Sequence, residues 1–140
     1  MRPATRAAAA IAAALLLVPA SSASALPVSA TVLHASLAPG GDADGSGMAM
    51  VTLRPAVRRV CATISWSGID KPFAAHIHRR SDGQVVVDLT GSVTGGARCT
   101  TASRRLIRRI AERPGRYYVN VHNRTYPAGA VQGSLGTHDH

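Results

Sequence analysis

Short stretches in which apolar and polar residues alternate recur along the chain and predict β-strands. The clearest stretch covers residues 60–66, where the even-numbered residues are apolar and the odd-numbered ones are small or polar. Turns rich in glycine or containing proline separate these stretches. Further strands are predicted over residues 26–37, 48–54, 73–78, 84–89, 116–122 and 128–135.

One segment, from Thr100 to Arg113, has a helical pattern instead. Leu106, Ile107 and Ile110 recur at the spacing of one helix face, and Thr101 or Ser103 can cap its start. Many short strands with a single short helix predict a mainly β fold, an antiparallel β-sandwich or barrel.

The first 25 residues have the pattern of a secretory signal peptide. Two arginines precede an apolar run over residues 7–18, and the small residues Ala23-Ser24-Ala25 form a cleavage site. We expect cleavage after Ala25, with Ala20 as the alternative. The apolar run is shorter than the roughly 20 residues that a membrane span needs. The sequence therefore predicts a secreted protein without a membrane span, whose single domain covers residues 26–140.

Cys61 and Cys99 are the only two cysteines of the chain. Secretion exposes them to an oxidising environment, so we expect a disulfide between them, with two free thiols as the alternative.

The chain is basic, with a formal charge of +9, and loss of Arg2 and Arg6 with the signal peptide lowers this to +7. Such a charge favours anionic polymers at a cell surface as partners. Nucleic acid is not expected, because aromatic residues make up only 4% of the chain and single strands bind by base stacking on aromatic rings. Five arginines on the predicted helix form a candidate surface for anions: Arg104, Arg105, Arg108, Arg109 and Arg113.

Three histidines carry the clearest candidate chemistry. His76 and His78 lie on the face of the strand 73–78 that is opposite its apolar residues, and His122 lies on the corresponding face of the strand 117–122. If the apolar faces share the core, the three imidazoles share an outer surface. Three imidazoles suit copper or zinc with one coordination position open. The alternative is that these histidines form hydrogen bonds to loop carbonyls or carboxylates and hold the strand ends in register.

Several runs of the sequence together resemble the CHRD domain family, which is named after chordin. The resemblance covers residues 30 to 136 and implies an immunoglobulin-like or superoxide-dismutase-like β-barrel without a settled activity. One departure is Gln132, where the family often has arginine. The runs that carry the resemblance are Gly41–Gly47, Val60-Cys61, Ser67–Ile69, Ala74–His78, Val85–Val87, Tyr117–Pro127 and Pro127–Leu135.

The spacing of His76 and His78 is also similar to the copper-binding strand of Cu/Zn superoxide dismutase. The sequence has no fourth histidine at a bridging position and no zinc loop with several histidines and an aspartate. Dismutase activity is therefore not expected.

Two functions follow from these observations. The first is a secreted, non-enzymatic CHRD-type module for extracellular interaction or structure, without a cofactor, whose partner is an anionic cell-surface polymer or an extracellular protein. The alternative is a metal-binding β-barrel that holds copper or zinc with His76, His78 and His122.

Overall fold

The alternating segments of the sequence form eight strands in the computed structural model, which describes residues 29–137. The predicted signal peptide lies outside the described residues. Every strand pairing in this part of the chain is antiparallel, as the sequence predicts. The strands are Thr31–Pro39 (β1), Ser46–Arg54 (β2), Arg59–Ser67 (β3), Ala74–Arg79 (β4), Val85–Asp88 (β5), Cys99–Thr101 (β6), Tyr117–His122 (β7) and Val131–Ser134 (β8).

Strand β1 joins two halves of a sheet with the strand order β5-β4-β7-β8-β1-β2-β3-β6. Residues 31–37 of β1 pair with β2, whereas Ala38 and Pro39 pair with β8. Fully buried side chains from both halves, such as Leu33 and Val51 from one and Ile77 and Val119 from the other, belong to a single apolar cluster. This arrangement confirms the prediction of an antiparallel β-sandwich or barrel.

The alternation that predicts β3 also predicts its faces correctly. Val60, Ala62 and Ile64 are buried in the core, while Thr63 and Ser65 are exposed. Successive side chains of a strand point to opposite faces, so one apolar set is enough to decide which face is buried.

The helical segment begins at the second of the two caps that the sequence allows. Helix α2 spans Arg104–Glu112, and the side-chain oxygen of Ser103 accepts a hydrogen bond from the backbone N–H of Leu106 as its N-cap. The residues just before it form β6, which pairs with β3, so the helix does not extend back to Thr100. Among residues 29–137, no helix has the length and apolar character needed to cross a membrane.

Pairing with β3, which the disulfide links to β6, explains why β6 is a strand. Cys61 on β3 and Cys99 on β6 are direct cross-strand partners and are bonded to each other, which confirms the predicted pairing. Pairing with β3 holds the backbone of residues 99–101 in extended form, although the residues that follow are helical. This tertiary constraint overrides the local helical pattern.

A second short helix, α1, spans Gly91–Thr94 between β5 and β6, in a segment without a helical pattern in the sequence. The segment connects the two halves of the sheet. The hydroxyl of Ser92 donates to the carbonyl of Ala62 on β3, and the hydroxyl of Thr90 accepts from the N–H of Ala75 on β4. Strands β3 and β4 are thereby tied together away from β1.

Candidate metal centre

Strands β4 and β7 are neighbours, and their register brings the three predicted histidines together. Ala74 lies opposite His122, and His78 lies opposite Tyr118. The ring centroids are 5.0 Å apart for His76 and His122, 5.7 Å for His76 and His78, and 5.9 Å for His78 and His122. The three rings therefore form one cluster on one side of the sheet.

The ring nitrogens approach more closely than the ring centres. Each histidine contributes one nitrogen to a group in which all of them lie within 4.8 Å of one another. Nδ1 of His76 is 3.1 Å from Nε2 of His122. Across residues 29–137, this is the one group of three or more histidine, cysteine or acidic side chains close enough to hold a metal ion.

The cluster is less exposed than the sequence predicts, because other side chains cover it. His78 and His122 are only 8% and 7% exposed. The ring of Tyr118 stacks on His78 at 5.0 Å, and the ring of Phe73 lies 6.5 Å from that of His122. The prediction of an outer surface was therefore wrong for these two histidines: strand alternation places them opposite the core, but neighbouring rings on the same face shield them from water.

Two of the histidines are fixed by hydrogen bonds to loop carbonyls. Nδ1 of His78 lies 2.8 Å from the carbonyl oxygen of Gly83, and Nδ1 of His122 lies 2.9 Å from that of Pro127. Since a carbonyl oxygen can only accept a hydrogen bond, both Nδ1 atoms carry the proton and both Nε2 atoms keep a free lone pair. The Nε2 atom of His78 is buried and has no hydrogen-bond partner among residues 29–137.

His76 has an acidic neighbour in place of a carbonyl. Its Nε2 atom lies 3.9 Å from a carboxylate oxygen of Asp88, the residue opposite it on β5. Hydrogen bonds from Thr90 lower the pKa of Asp88, so this carboxylate is ionised at neutral pH. At this distance the carboxylate forms no hydrogen bond with His76, but its negative charge lies on the Nε2 side of the ring.

Burial of the cluster favours neutral imidazoles. Desolvation lowers the pKa of His76, nearby His122 and His78 lower it further, and Asp88 opposes the shift. Desolvation also lowers the pKa of His122, partly offset by its hydrogen bond to Pro127. Neutral imidazole is the form in which histidine binds a metal ion.

Other residues of the site are not evident from the sequence pattern. Asn123 is fully buried, and its side-chain oxygen accepts a hydrogen bond from the N–H of Tyr126, which shapes the loop that presents Pro127 to His122. Asn120, two residues before His122 on β7 and opposite His76, is buried as well, and its amide donates to the carbonyl of Ala128. The run from Tyr117 to Pro127 carries part of the family resemblance. The sequence pattern alone, however, does not show which carbonyl will accept a hydrogen bond from a given side chain.

The five arginines predicted to bind anions have different surroundings. Arg104 donates to the carbonyls of Pro55 and Ala56 and holds α2 against the 3₁₀ turn that precedes β3. Arg109 and Arg113 line a groove at the far end of α2. Arg105 and Arg108 are exposed and do not line that groove. Anion binding by the set of five stays a prediction.

Comparison with known proteins gives one match. A family model described as the CHRD domain matches residues 28–135, which is most of the chain. A search of the curated proteins and a search of the solved structures find no match.

Proposed function

This chain belongs to the CHRD domain family, and from that premise and the histidine cluster we propose that it binds one copper or zinc ion outside the cell. The observation that carries the proposal is the convergence of the ring nitrogens of His76, His78 and His122 within 4.8 Å of one another. The expected secretion is supported by the signal-peptide pattern and by the Cys61–Cys99 disulfide, which suits an oxidising compartment.

The donor set fits these metals. Nε2 of His78 and Nε2 of His122 have free lone pairs, because the Nδ1 atom of each ring donates to a carbonyl. Nδ1 of His76, close to His122, is the third donor. Three neutral imidazole nitrogens are a ligand set for zinc or copper, and they leave one coordination position for water or another ligand.

The contacts behind the rings support the same proposal. Metal-bound histidines generally donate their other ring N–H to a carbonyl or a carboxylate, which fixes the tautomer and aims the ligand. Gly83 has this role for His78 and Pro127 has it for His122, whereas the Asp88 carboxylate lies 3.9 Å from Nε2 of His76, beyond hydrogen-bond distance. Two of the three rings thus have a hydrogen-bond partner on the side away from the cluster, and the third has a carboxylate nearby.

The burial of an unpaired nitrogen gives a further reason to propose a bound metal ion. A buried polar atom without a partner costs about 1–3 kcal/mol. The Nε2 atom of His78 on β4 is such an atom. The side-chain oxygen of Asn120 on the neighbouring strand β7 is another. A bound metal would satisfy the nitrogen.

We propose binding without catalysis. The histidine pair on β4 resembles a dismutase strand, but the bridging histidine and the zinc loop are absent from the sequence. A single three-histidine centre with one open position suits storage, buffering or presentation of the ion by a secreted module.

Metal analysis of protein produced without an affinity tag tests the proposal. The purified protein is stripped with chelator, reloaded with Cu²⁺ or Zn²⁺, and its metal content is measured by mass spectrometry. We expect one ion per chain for the wild type and loss of that ion in His76→Gln/His78→Gln and in His122→Gln, because glutamine keeps the polar volume but lacks the imidazole ligand.

The matched control is His138→Gln/His140→Gln, which removes two imidazoles of the C-terminal tail, outside the described residues. This variant should keep the ion. Circular dichroism of every variant checks that the fold persists. The proposal would be wrong if the reloaded wild type bound no stoichiometric metal, or if the folded His76→Gln/His78→Gln variant bound it as tightly as the wild type.

A further inference from the structure

A groove lined by arginines lies at the C-terminal end of α2, beside the ends of the two strands, β4 and β7, that carry the three histidines. Its walls are the end of α2, the turn that leads into β7, and the start of the hairpin turn after β4, and its volume is about 720 Å³. One carboxylate, that of Glu112, lines it together with five arginines: Arg79, Arg80, Arg109, Arg113 and Arg116.

Two of these arginines are held in place by the protein. Arg79 forms a bidentate pair with Asp82, with N···O distances of 2.6 and 3.0 Å. Arg80 donates to the carbonyl of Gly115 and to the hydroxyl of Ser134, and its guanidinium lies 5.5 Å from the ring centre of Tyr118. Arg80 is therefore already ordered, which reduces the side-chain entropy lost when it meets a ligand.

The other three arginines have no such partners. Within residues 29–137, the guanidinium groups of Arg109, Arg113 and Arg116 form no hydrogen bond or ion pair, and all three residues are exposed. Glu112 forms no ion pair in this part of the chain either, so it does not neutralise one of them. The groove thus presents several uncompensated positive charges beside two that are fixed.

Arginine favours a particular kind of anion. Its planar fork of N–H donors matches the oxygens of phosphate and sulfate groups as well as carboxylates, and it is less strongly hydrated than lysine. Arg79 is paired with Asp82, but the other four arginines around one open groove still exceed what a single small anion can engage. A flexible chain with several tetrahedral oxyanion groups fits this distribution of charge better.

The aromatic residues beside the groove argue against a nucleic acid. Binding of single strands relies on exposed rings on which bases stack. Tyr117, the one aromatic residue that lines the groove, is only 6% exposed, and the ring of Tyr118 is already stacked on His78. The groove supplies charge without a stacking surface.

We propose that this groove binds a linear, base-free polyanion whose charges are phosphate or sulfate groups. The site differs from the helix face predicted from the sequence, because only Arg109 and Arg113 belong to both sets. None of the three proposed metal ligands lines the groove, so either proposal can fail without the other.

Titration calorimetry of the full protein tests this site with defined probes. Sodium polyphosphate represents the phosphate source, heparin the sulfate source, poly-L-glutamate a polycarboxylate of similar charge, and oligothymidylate a nucleic acid. We expect polyphosphate or heparin to bind more tightly than the other two probes, and the tighter of the pair identifies the source. Binding should weaken steeply as salt is added, because counterions are released.

Two double variants on the same helical segment distinguish binding by the groove from a general effect of the protein's positive charge. Arg109→Ala/Arg113→Ala should lower the affinity about tenfold through loss of two charged contacts, whereas Arg105→Ala/Arg108→Ala should change it little. Equal losses in the two variants would overturn the proposal, as would equal binding of poly-L-glutamate or oligothymidylate. A urea titration of each variant shows that the fold is intact.

Discussion

Nδ1 of His76 lies 3.1 Å from Nε2 of His122, although the two residues are 46 positions apart in the chain. The Nε2 atom of His122 has only a lone pair, since its Nδ1 atom donates to Pro127. In the metal-free protein, Nδ1 of His76 must therefore carry the proton that joins the two rings. The contact holds two metal ligands together before any metal arrives.

This arrangement predicts that one histidine changes tautomer when zinc binds. His76 should move its proton from Nδ1 to Nε2, toward Asp88, whereas His78 and His122 should keep theirs on Nδ1 throughout. Long-range ¹H–¹⁵N correlation spectra of the imidazoles, recorded before and after zinc addition, distinguish the tautomers. An unchanged His76 in the zinc-bound protein would contradict the proposed ligand atom.

Gly129 should resist substitution because Asn120 leaves no room for a side chain. The backbone of Gly129 has φ +133°, and a Cβ atom there would lie 2.1 Å from the side-chain oxygen of Asn120. We expect Gly129→Ala to lower the free energy of unfolding by about 1–3 kcal/mol, as measured by urea denaturation. Gly115→Ala is the control, since nothing lies within 4 Å of a Cβ at that position. Equal stability of the two variants would contradict the crowding argument.

Asn123 should affect both stability and metal binding through the loop that it shapes. Asn123→Ala removes a buried acceptor 2.8 Å from the N–H of Tyr126 and should cost about 1–3 kcal/mol. A looser loop would also present Pro127 less well to His122 and so weaken metal binding. Arg124→Ala, an exposed change in the same loop, is the control. If metal affinity in Asn123→Ala equalled that of the control, the loop would have no part in positioning His122.

The disulfide should matter for stability and not for the metal centre. Cys61 and Cys99 are 38 residues apart, and closing a loop of that length contributes about 4 kcal/mol in the chain-entropy model. We expect Cys61→Ser/Cys99→Ser to lose about that much in urea denaturation. Strands β3 and β6 carry none of the three histidines, so the folded variant should still bind one metal ion. Loss of the ion from folded variant protein would show unexpected coupling between the two regions.

The metal-free protein should lose stability on mild acidification. Burial lowers the folded-state pKa of both His76 and His122 below the ordinary value of 6.5. Between the folded and unfolded pKa values the unfolded chain binds more protons, so the stability contribution is complete above pH 6.5 and is lost as the pH falls through the folded values. Urea midpoints measured across this range should decline with falling pH.

The matched variant for this effect is His76→Gln/His122→Gln, which has neither titrating group. Its urea midpoint should depend less on pH than that of the wild type over the same range. Equal pH dependence of the two proteins would mean that other groups control the acid response.

The order of apolar and polar residues by itself determined most of the strands and their buried faces. In β3 the pattern is sufficient because a strand has only two faces, and one apolar set decides between them. The same rule places His76 and His78 on one face of β4. The N-cap of α2 at Ser103 is equally local, since a cap depends on residues within one turn.

Only the tertiary structure decided which contacts these elements make. The residues of β6 are extended because β3 pairs with them, and α1 connects β3 to β4. The β4–β7 register, which brings His122 to His76, depends on pairing between distant segments. The burial of the cluster, its loop carbonyls and the groove formed by arginines from three segments depend on such contacts as well. A periodic pattern determines the face of the strand on which a side chain lies, but only the folded chain determines which residues that side chain contacts.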